Sequence, residues 1–234
     1  MRARRYKLYH CPLTRSARVK WLLHEIFDEA FDVELVPLYA GVQYGAEFLR
    51  MNPNHNVPVL EISWDDGSKT TMLESVAMIA MLADAHPEFA LAPPGGAASP
   101  ARADYLQMLH FGGSWMDMML WQVRAHEHLL SETDFDQRTI DRYRTKFTRE
   151  VEPQLRSRLE SGGYACGEAF SAADCVIGHN VNWARAYGLC TDEVFGAYVM
   201  RLAGRKAFGQ AFADASGFSV APPGGRPQKT RFTG

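Results

Sequence analysis

The run Asn52-Pro53-Asn54-His55-Asn56-Val57-Pro58-Val59-Leu60 constrains the fold more than any other stretch of the sequence. Pro58 begins an otherwise strand-like run, although a proline cannot donate to a strand ladder. A cis peptide before Pro58 would turn the Val57 backbone outward at the strand's edge. The exposed N–H and C=O of Val57 could then pair with an extended peptide, as a neighbouring strand would. A trans proline on an ordinary edge strand is the alternative.

Strand and helix patterns alternate on both sides of this run. Apolar residues recur at period two in the strands and at three- and four-residue spacing in the helices. Asp65-Asp66-Gly67 predicts a hairpin turn. The pattern therefore predicts βαβ, then α, then ββα. The predicted strands are 5–10, 31–38, 57–62 and 69–73, and the predicted helices are 16–26, 44–51 and 74–85.

A segment rich in Pro, Gly and Ala, residues 91–100, indicates a domain boundary. Beyond it the pattern predicts only helices, at 101–125, 136–160 (disturbed at Pro153), from Ser171, at 193–202 and at 205–214. Ser171 and Asp174 have the spacing of a capping box. We therefore predict a first domain at 1–90, a linker at 91–100, an all-helical domain at 101–215 and an extended tail at 216–234.

Composition limits the class of partner and the compartment. The formal charge of −2 gives no reason to expect nucleic acid or an anionic membrane as partner. The basic start resembles a tail leading into a strand rather than a signal peptide. Four cysteines without a C-x-x-C pair favour a reduced, cytoplasmic setting. His126 and His128 do not share a helix face, so no metal site is expected.

Two further segments carry candidate binding groups. Glu74-Ser75 opens a helix directly after a strand, where free amides and a hydroxyl can hold a carboxylate and Glu74 can accept from an ammonium. Residues 11–18 join the first strand to the first helix, a place where α/β folds position ligands. Each segment also has a plainer interpretation as a helix cap.

The order and spacing of these segments resemble cytosolic glutathione transferases. Residues 52–60 look like the family's N-P-x-G-K-V-P-x-L motif, residues 73–79 like L-x-E-S-x-A-I, and residues 170–174 like the S-x-A-D capping motif. The resemblance implies a thioredoxin-like domain with a mixed four-stranded sheet, followed by an all-α bundle. It further implies a bacterial member, of a theta-like serine/threonine type or an unassigned class, that uses glutathione as co-substrate, needs no metal and forms a homodimer.

Transferred residue by residue, the resemblance assigns a glutathione site. Val57 would bind the cysteinyl backbone beside cis Pro58, and Glu74 and Ser75 would hold the γ-glutamyl end. Asn56 stands where Lys or Gln often contacts the glycyl carboxylate, and an amide is a weaker anion contact. His55, where Gly is common, would compensate. Across a dimer interface, Asp104 would reach the γ-glutamyl ammonium.

The group that activates the thiol is left open by the sequence. Family catalysis stabilises the glutathione thiolate through a hydroxyl or thiol near the first strand–helix turn. Thr14 falls where serine-type members place their hydroxyl, and Ser16 is a second candidate. Arg15 stands roughly where cysteine-type bacterial members have their Cys. Cys11 could form a mixed disulfide, or it could be a small buried hydrophobic residue. Tyr9 lies earlier in the chain, at the end of the first strand. A backbone amide, or no donor at all, are the further alternatives.

The second substrate would be a small hydrophobic electrophile, bound along the first helix of the helical domain. The candidate residues there recur at helical spacing, although part of the stripe could be core or subunit interface: Phe111, Trp115, Met118, Met119 and Gln122. The expected activity is a detoxifying glutathione transfer. The alternatives are a reductase or peroxidase that uses Cys11, and a non-enzymatic binding protein.

Overall fold

The computed structural model of the chain describes residues 2–96 and 98–215. The predicted tail at 216–234 lies outside the described residues. The chain folds into two compact units. Within the described residues, the first comprises the chain up to residue 102 together with residues 203–215, and the second comprises residues 103–202.

The first unit is built on a four-stranded mixed sheet, as predicted. Its strands lie in the order β2-β1-β3-β4. The central strand β1 pairs parallel to β2 and antiparallel to β3, and β4 pairs antiparallel to β3. The strands are β1 (Ala3–His10), β2 (Asp32–Leu35), β3 (Val59–Trp64) and β4 (Lys69–Met72).

Amphipathic helices pack apolar side chains into the core of this unit. The fully buried Trp21 and Leu22 come from the first helix, and Met78 and Ile79 come from the helix that follows β4. Apolar side chains at three- and four-residue spacing give each helix one core-facing stripe. The helices are α1 (Ser16–Phe27), α2 (Ala46–Met51) and α3 (Ser75–Ala85).

The second unit is helical, as predicted. Its helices are α4 (Pro100–His110), whose first residues belong to the other unit, α5 (Asp117–Arg124), α6 (Gln137–Lys146), α7 (Glu152–Gly162), α8 (Ala172–Ala186) and α9 (Glu193–Ala203), which reaches the boundary between the units. In the described part of the chain, no helix has both the length and the apolarity to cross a membrane.

The last helix, α10 (Lys206–Phe212), belongs to the first unit, whereas the sequence placed it in the helical domain at 101–215. Its aromatic side chains pack on α1, where the Trp21 ring lies 5.0 Å from Phe208 and 6.1 Å from Phe212. Arg205, just before α10, donates to Glu25 of α1 at 2.7 and 2.8 Å. Periodicity along one helix shows that a face is buried but not which partner covers it, so the boundary prediction failed there.

In the described residues, π-helical segments interrupt the helices predicted at 101–125 and 136–160, at Phe111–Met116 and Phe147–Val151, and a further π segment, Ala125–Leu129, ends the first of these helices. A π turn adds a residue and rotates the following side chains around the helix axis. In the first segment, the Asn180 amide of α8 donates to the Gly112 carbonyl at 2.7 Å, so this buried acceptor is satisfied. The π turns leave no signal in apolar spacing because the residues on either side still look helical.

The start of α8 confirms the predicted capping box. Asp174 is fully buried and accepts from the Ser171 backbone N–H at 2.9 Å. The same carboxylate accepts from the Ala165 N–H at 2.8 Å and from the Tyr198 hydroxyl at 2.7 Å. Burial raises the pKa of Asp174, while these hydrogen bonds act in the opposite direction. One carboxylate therefore connects α8, α9 and the loop before α8.

Asp174→Asn should strongly destabilise the protein, since the asparagine amide nitrogen would face N–H and O–H donors that now donate to the Asp174 carboxylate. We expect the free energy of unfolding to fall by about 3 kcal/mol, measured by urea denaturation. Asp141→Asn is the matched control, because exposed Asp141 accepts from Gln137 on the surface of α6. It should change stability by less than about 0.5 kcal/mol. Equal effects of the two variants would contradict the role assigned to Asp174.

Candidate active site

The register of the sheet brings three loops to one end of the first unit. Tyr9, near the end of β1, lies opposite Val59, the first residue of β3. Leu60 lies opposite Met72, the last residue of β4. The loop after β1, the loop before β3 and the loop after β4 therefore lie next to one another where they join the sheet. These loops hold the three segments that the sequence singled out.

The loop after β1 carries Thr14 on a tight turn. The Thr14 N–H donates to the Cys11 carbonyl at 3.3 Å, and the Thr14 carbonyl accepts from Ala17 at 2.9 Å as α1 begins. The Thr14 hydroxyl lies 2.7 Å from the Cys11 carbonyl and 2.8 Å from the Ser16 Oγ. The N-cap position of α1 is Arg15, which makes no capping hydrogen bond through its side chain. The Thr14 Oγ1 also accepts from the Ser16 backbone N–H at 3.4 Å, so the Thr14 side chain makes a long capping contact at the start of α1.

Ser16 lies wholly inside this turn, with 0% of its surface exposed. Its Oγ is 2.7 Å from the His10 Nδ1, 2.8 Å from the Thr14 Oγ1 and 3.1 Å from both the N and the O of Cys11. Thr14 is only partly buried. Of the two candidate hydroxyl residues, Thr14 is therefore the one that reaches the surface.

Cys11 and Tyr9 both pack in a small apolar cluster at this end of the sheet. Both are more than nine-tenths buried and share the cluster with Val36, Phe48 and Val57. The Tyr9 ring meets Phe48 edge to face at 6.4 Å. This environment favours the packing interpretation of Cys11 and of Tyr9 over a role at the surface.

The loop before β3 has the cis Val57–Pro58 bond that the family resemblance implies. Asn52 organises this loop, because its Nδ2 lies 2.8 Å from both the carbonyl oxygen and the Oδ1 of Asn56. Its Oδ1 accepts from the Asn54 N–H at 2.9 Å. His55 adopts a left-handed φ of 44°, and its ring lies 5.0 Å from that of Tyr44. Asn56 is exposed, with its amide oxygen held by Asn52.

The loop after β4 ends at Glu74, which is exposed and has a φ of 70°. A positive φ is rare for a residue with a Cβ and often marks a functional position. Ser75 begins α3 and is buried, with its Oγ 3.4 Å from the Nη1 of the buried Arg18. A carboxylate and a helix N-terminus are thus presented together at the same end of the sheet as Thr14.

Residues 10–85 match the family described as glutathione S-transferase, N-terminal domain. A glutathione transferase from Methylococcus capsulatus is 25% identical, with a TM-score of 0.75 over 90% of this chain and 98% of that one. A beta-class glutathione S-transferase from Sphingomonas chungbukensis is 26% identical, with a TM-score of 0.73 over 91% of this chain and 100% of that one. The chain is therefore similar to glutathione S-transferases, through the N-terminal domain matched at residues 10–85 and through these two structures over most of its length.

One similar protein is named for a different activity. The disulfide-bond oxidoreductase YfcG of Escherichia coli K12 is 28% identical over 212 residues, which are 89% of this chain and 94% of that protein. A sphingomonad glutathione S-transferase, solved in complex with glutathione, is 26% identical with a TM-score of 0.70, over 91% of this chain and 100% of that one. Relatives of comparable similarity therefore differ in the reaction for which they are named.

A buried His–Asp pair lies behind the Thr14 turn, and nothing in the sequence pattern predicted it. His10 is completely buried, and its Nε2 lies 3.2 Å from the Oδ2 of Asp214. Lys20 donates to the same carboxylate oxygen at 2.7 Å. Burial raises the pKa of Asp214, but hydrogen bonds from His10 and Lys20 outweigh it and lower the value to about 2. No short-range pattern could have paired residues 204 positions apart.

The remaining predicted residues lie in the helical unit, where Phe111, Trp115, Met118 and Met119 follow one another along the first π segment and α5. Met119 is wholly buried and Trp115 is exposed, so the stripe does not keep a single environment. Lys146 lies over the Trp115 ring at 4.7 Å. Asp104 accepts two hydrogen bonds from Arg158, at 2.7 and 3.0 Å. In the described residues, no group of three or more His, Cys, Asp or Glu could hold a metal ion.

Asp214 should make a pH-dependent contribution to stability. Because its folded-state pKa of about 2 lies below the ordinary aspartate value of 3.8, its contribution is present above pH 3.8 and disappears as the pH falls toward 2. Asp214→Asn should therefore lower the free energy of unfolding by about 1–2 kcal/mol near neutral pH, allowing for partial exposure. Urea denaturation at several pH values measures the difference between the two proteins. A difference that stays constant down to pH 2 would contradict this assignment.

Proposed function

We propose that this protein binds glutathione at the shared end of β1, β3 and β4 and activates its thiol through the Thr14 hydroxyl. The observation that carries the proposal is the strand register, which places the loops of Thr14, Val57 and Glu74 side by side. The complex of the related sphingomonad enzyme with glutathione supports the choice of ligand. The sulfur would then attack a small hydrophobic electrophile.

The charges of glutathione fit the residues around this end of the sheet. The γ-glutamyl group has an ammonium, which the exposed Glu74 carboxylate can accept, and a carboxylate, which suits the Ser75 hydroxyl and the start of α3. Because Asn52 holds the Asn56 amide oxygen, the Asn56 amide nitrogen is turned away with its donors free for the glycyl carboxylate. His55 is the neighbouring group on the same loop. The peptide portion would lie along the Val57 backbone.

Thr14 supplies the hydrogen bond that the chemistry needs. A thiol with an ordinary pKa near 8.5 is mostly protonated at neutral pH, and thiolate is the nucleophile. A hydrogen bond to a charged group contributes about 1.5–3 kcal/mol, which lowers the thiol pKa by roughly one to two units. Ser16 is buried behind Thr14 and Cys11 packs in the core, so Thr14 is the favoured donor. A threonine donor also suits the theta-like serine/threonine type.

The transferase reaction forms one bond and breaks one. The sulfur lone pair forms an S–C bond with the electrophile, the leaving group departs with its bonding electrons, and the thiol proton is released. A permissive apolar surface on the helical unit, with Phe111, Trp115 and Met118, would suit such a substrate. Action as a homodimer, with Asp104 contributing across the interface, and a cytoplasmic location remain predictions from the family resemblance.

A disulfide is a second candidate substrate, favoured by the similarity to the oxidoreductase YfcG. The same glutathione thiolate would attack one sulfur of the disulfide, form a mixed disulfide and expel a thiolate; a second glutathione would complete the reduction and leave oxidised glutathione. This reaction needs Thr14 but no protein cysteine. The burial of Cys11 argues against the version that uses a Cys11 mixed disulfide.

Thr14→Val should raise the pKa of the bound thiol by roughly one to two units, because valine keeps the shape but has no hydroxyl to donate. Thiolate absorbance of the bound glutathione, titrated against pH, measures this shift. Turnover of an activated aryl halide near neutral pH should fall about tenfold to a hundredfold, with glutathione affinity nearly unchanged. Thr148→Val, at an exposed position of the helical unit, is the matched control. An unchanged thiol pKa would exclude Thr14 as the activating group.

Glu74→Gln should weaken glutathione binding without slowing the chemical step. Loss of a charge-assisted hydrogen bond to the ammonium should raise Kd about tenfold to a hundredfold, measured by calorimetry. Glu47→Gln, exposed on α2, is the control and should bind like the parent protein. If the parent protein itself shows no binding at millimolar glutathione, the proposed function is wrong and a non-enzymatic role is favoured.

Parallel assays separate the two candidate reactions. The parent protein should be given glutathione with either an activated aryl halide or a small dialkyl disulfide, and the conjugate or the oxidised glutathione should be quantified. Turnover of only the disulfide would overturn the transferase assignment and keep the glutathione site. Cys11→Ser should retain both activities if glutathione supplies the only reacting thiol.

A further inference from the structure

We propose that Thr14, Ser16, His10 and Asp214, here called the relay, form a hydrogen-bonded path that takes the glutathione thiol proton inward to His10. The inference rests on the proposed function, because Thr14 has to contact the thiol. It adds two groups that touch no substrate, His10 and Asp214. Both are positioning residues that act on the sulfur only through the two hydroxyls.

The relay is continuous at hydrogen-bond distance. Thr14 Oγ1 lies 2.8 Å from Ser16 Oγ, Ser16 Oγ lies 2.7 Å from His10 Nδ1, and His10 Nε2 lies 3.2 Å from Asp214 Oδ2. The interior members, Ser16 and His10, are completely buried, whereas Thr14 is only partly buried. The path therefore leads from the partly buried Thr14 to a carboxylate through two completely buried side chains. All four residues belong to the first unit.

The charges of the end groups decide which way each proton points. Asp214 is ionised, since its pKa is about 2, so the His10 Nε2 donates to it. Burial lowers the pKa of His10, and the neutral ring with its proton on Nε2 has a bare Nδ1 that accepts. Ser16 then donates to Nδ1, and its lone pairs accept from the Cys11 N–H and the Thr14 hydroxyl. The single Thr14 hydroxyl proton has two acceptors, the Cys11 carbonyl at 2.7 Å and the Ser16 Oγ at 2.8 Å, and when it lies on the Ser16 side every donor of the resting relay points inward.

Two charged groups face His10, and they act in opposite directions. Asp214, on the turn after α10, stabilises an imidazolium, and Lys20 of α1 disfavours one. Lys20 also donates to the oxygen that His10 uses, at 2.7 Å. The balance keeps His10 neutral before glutathione binds, which leaves its Nδ1 able to receive a proton.

The proton transfer balances as a shift along existing hydrogen bonds. The S–H bond breaks and its electron pair stays on sulfur, which forms the new bond to the electrophile. The thiol proton passes to Thr14 Oγ1, the Thr14 proton to Ser16 Oγ, and the Ser16 proton to His10 Nδ1. The product state has an imidazolium beside the Asp214 carboxylate. After the product leaves, the same path returns the proton to water at Thr14.

The relative basicity of the glutathione thiolate and His10 determines when the proton moves. His10 is a weaker base than a free thiolate, because an ordinary imidazole pKa is about 6.5 and an ordinary thiol pKa is about 8.5. Once Thr14 has taken the thiol proton, its hydroxyl donates back to the sulfur and narrows this difference in basicity, and the sulfur becomes a much stronger acid as its new bond forms. Transfer is therefore coupled to the attack, which is where a general base accelerates a reaction.

His10→Asn tests the relay most directly. The asparagine oxygen lies near the position of Nδ1 and can still accept from Ser16, but an amide does not take up a proton at neutral pH. We expect kcat to fall about a hundredfold with the glutathione Kd unchanged. The acid limb that His10 adds to the pH profile of the parent protein should also vanish. His110→Asn, at an exposed position of α4, is the matched control.

A solvent isotope measurement separates a relay from a purely structural role. In mixtures of light and heavy water, the rate of the parent protein should vary non-linearly with the deuterium fraction, because several protons move together. His10→Asn should give a straight line. A straight line for the parent protein would contradict the concerted relay.

Asp214→Asn provides a second test at a partly exposed position, should His10→Asn fold poorly. Loss of the negative charge should lower kcat about tenfold and move the acid limb to lower pH, because the imidazolium loses its counter-ion. Parent-like kcat and pH profiles in both variants, with Thr14→Val still impaired, would overturn the relay and leave the proposed function intact. Failure of the parent protein to bind glutathione would overturn both.

Discussion

The antiparallel ladder between β1 and β3 is the constraint on which the site depends. Because Tyr9 pairs with Val59, the turn after β1 and the proline loop before β3 are adjacent whatever their own sequences prefer. The pairing of Leu60 with Met72 adds the loop that ends at Glu74. A slip of one residue would reverse the faces of the strands and separate these loops. The apolar side chains Leu8 and Leu60, opposite each other and fully buried, oppose such a slip.

Within that frame, burial separates two hydroxyls that look alike in the sequence. Thr14 and Ser16 are two residues apart, and either could cap α1 or donate to a ligand. The turn places Ser16 inside, where it lies within 3.1 Å of His10, Cys11 and Thr14, and leaves Thr14 partly exposed. A buried hydroxyl must satisfy its hydrogen bonds internally, and Ser16 does so completely. The result is a surface hydroxyl supported by a fixed interior partner.

The sequence was sufficient for everything that local pattern and short motifs encode. The four strands and the capping box at Ser171 and Asp174 were predicted, because each depends on residues that are close in the chain. The residues around Pro58 left cis and trans open, and only the family resemblance implied the cis bond. The π turns after His110 were missed, since they do not alter composition or apolar spacing. The partner of His10 was missed for a different reason. Contacts over 204 residues depend on how α10 packs, which no window of the sequence reveals.

The packing of α10 on α1 has a consequence for the site itself. Aromatic contacts of Trp21 with Phe208 and Phe212 hold α10 in place, and the turn that follows it supplies Asp214. Apolar burial thus provides the free energy that keeps an ionised carboxylate near a buried imidazole, an arrangement that two polar groups would not maintain alone because each loses hydration. The first unit is therefore completed by the far end of the described chain. A fragment that ends before residue 203 would keep the three loops but lack the acid behind them.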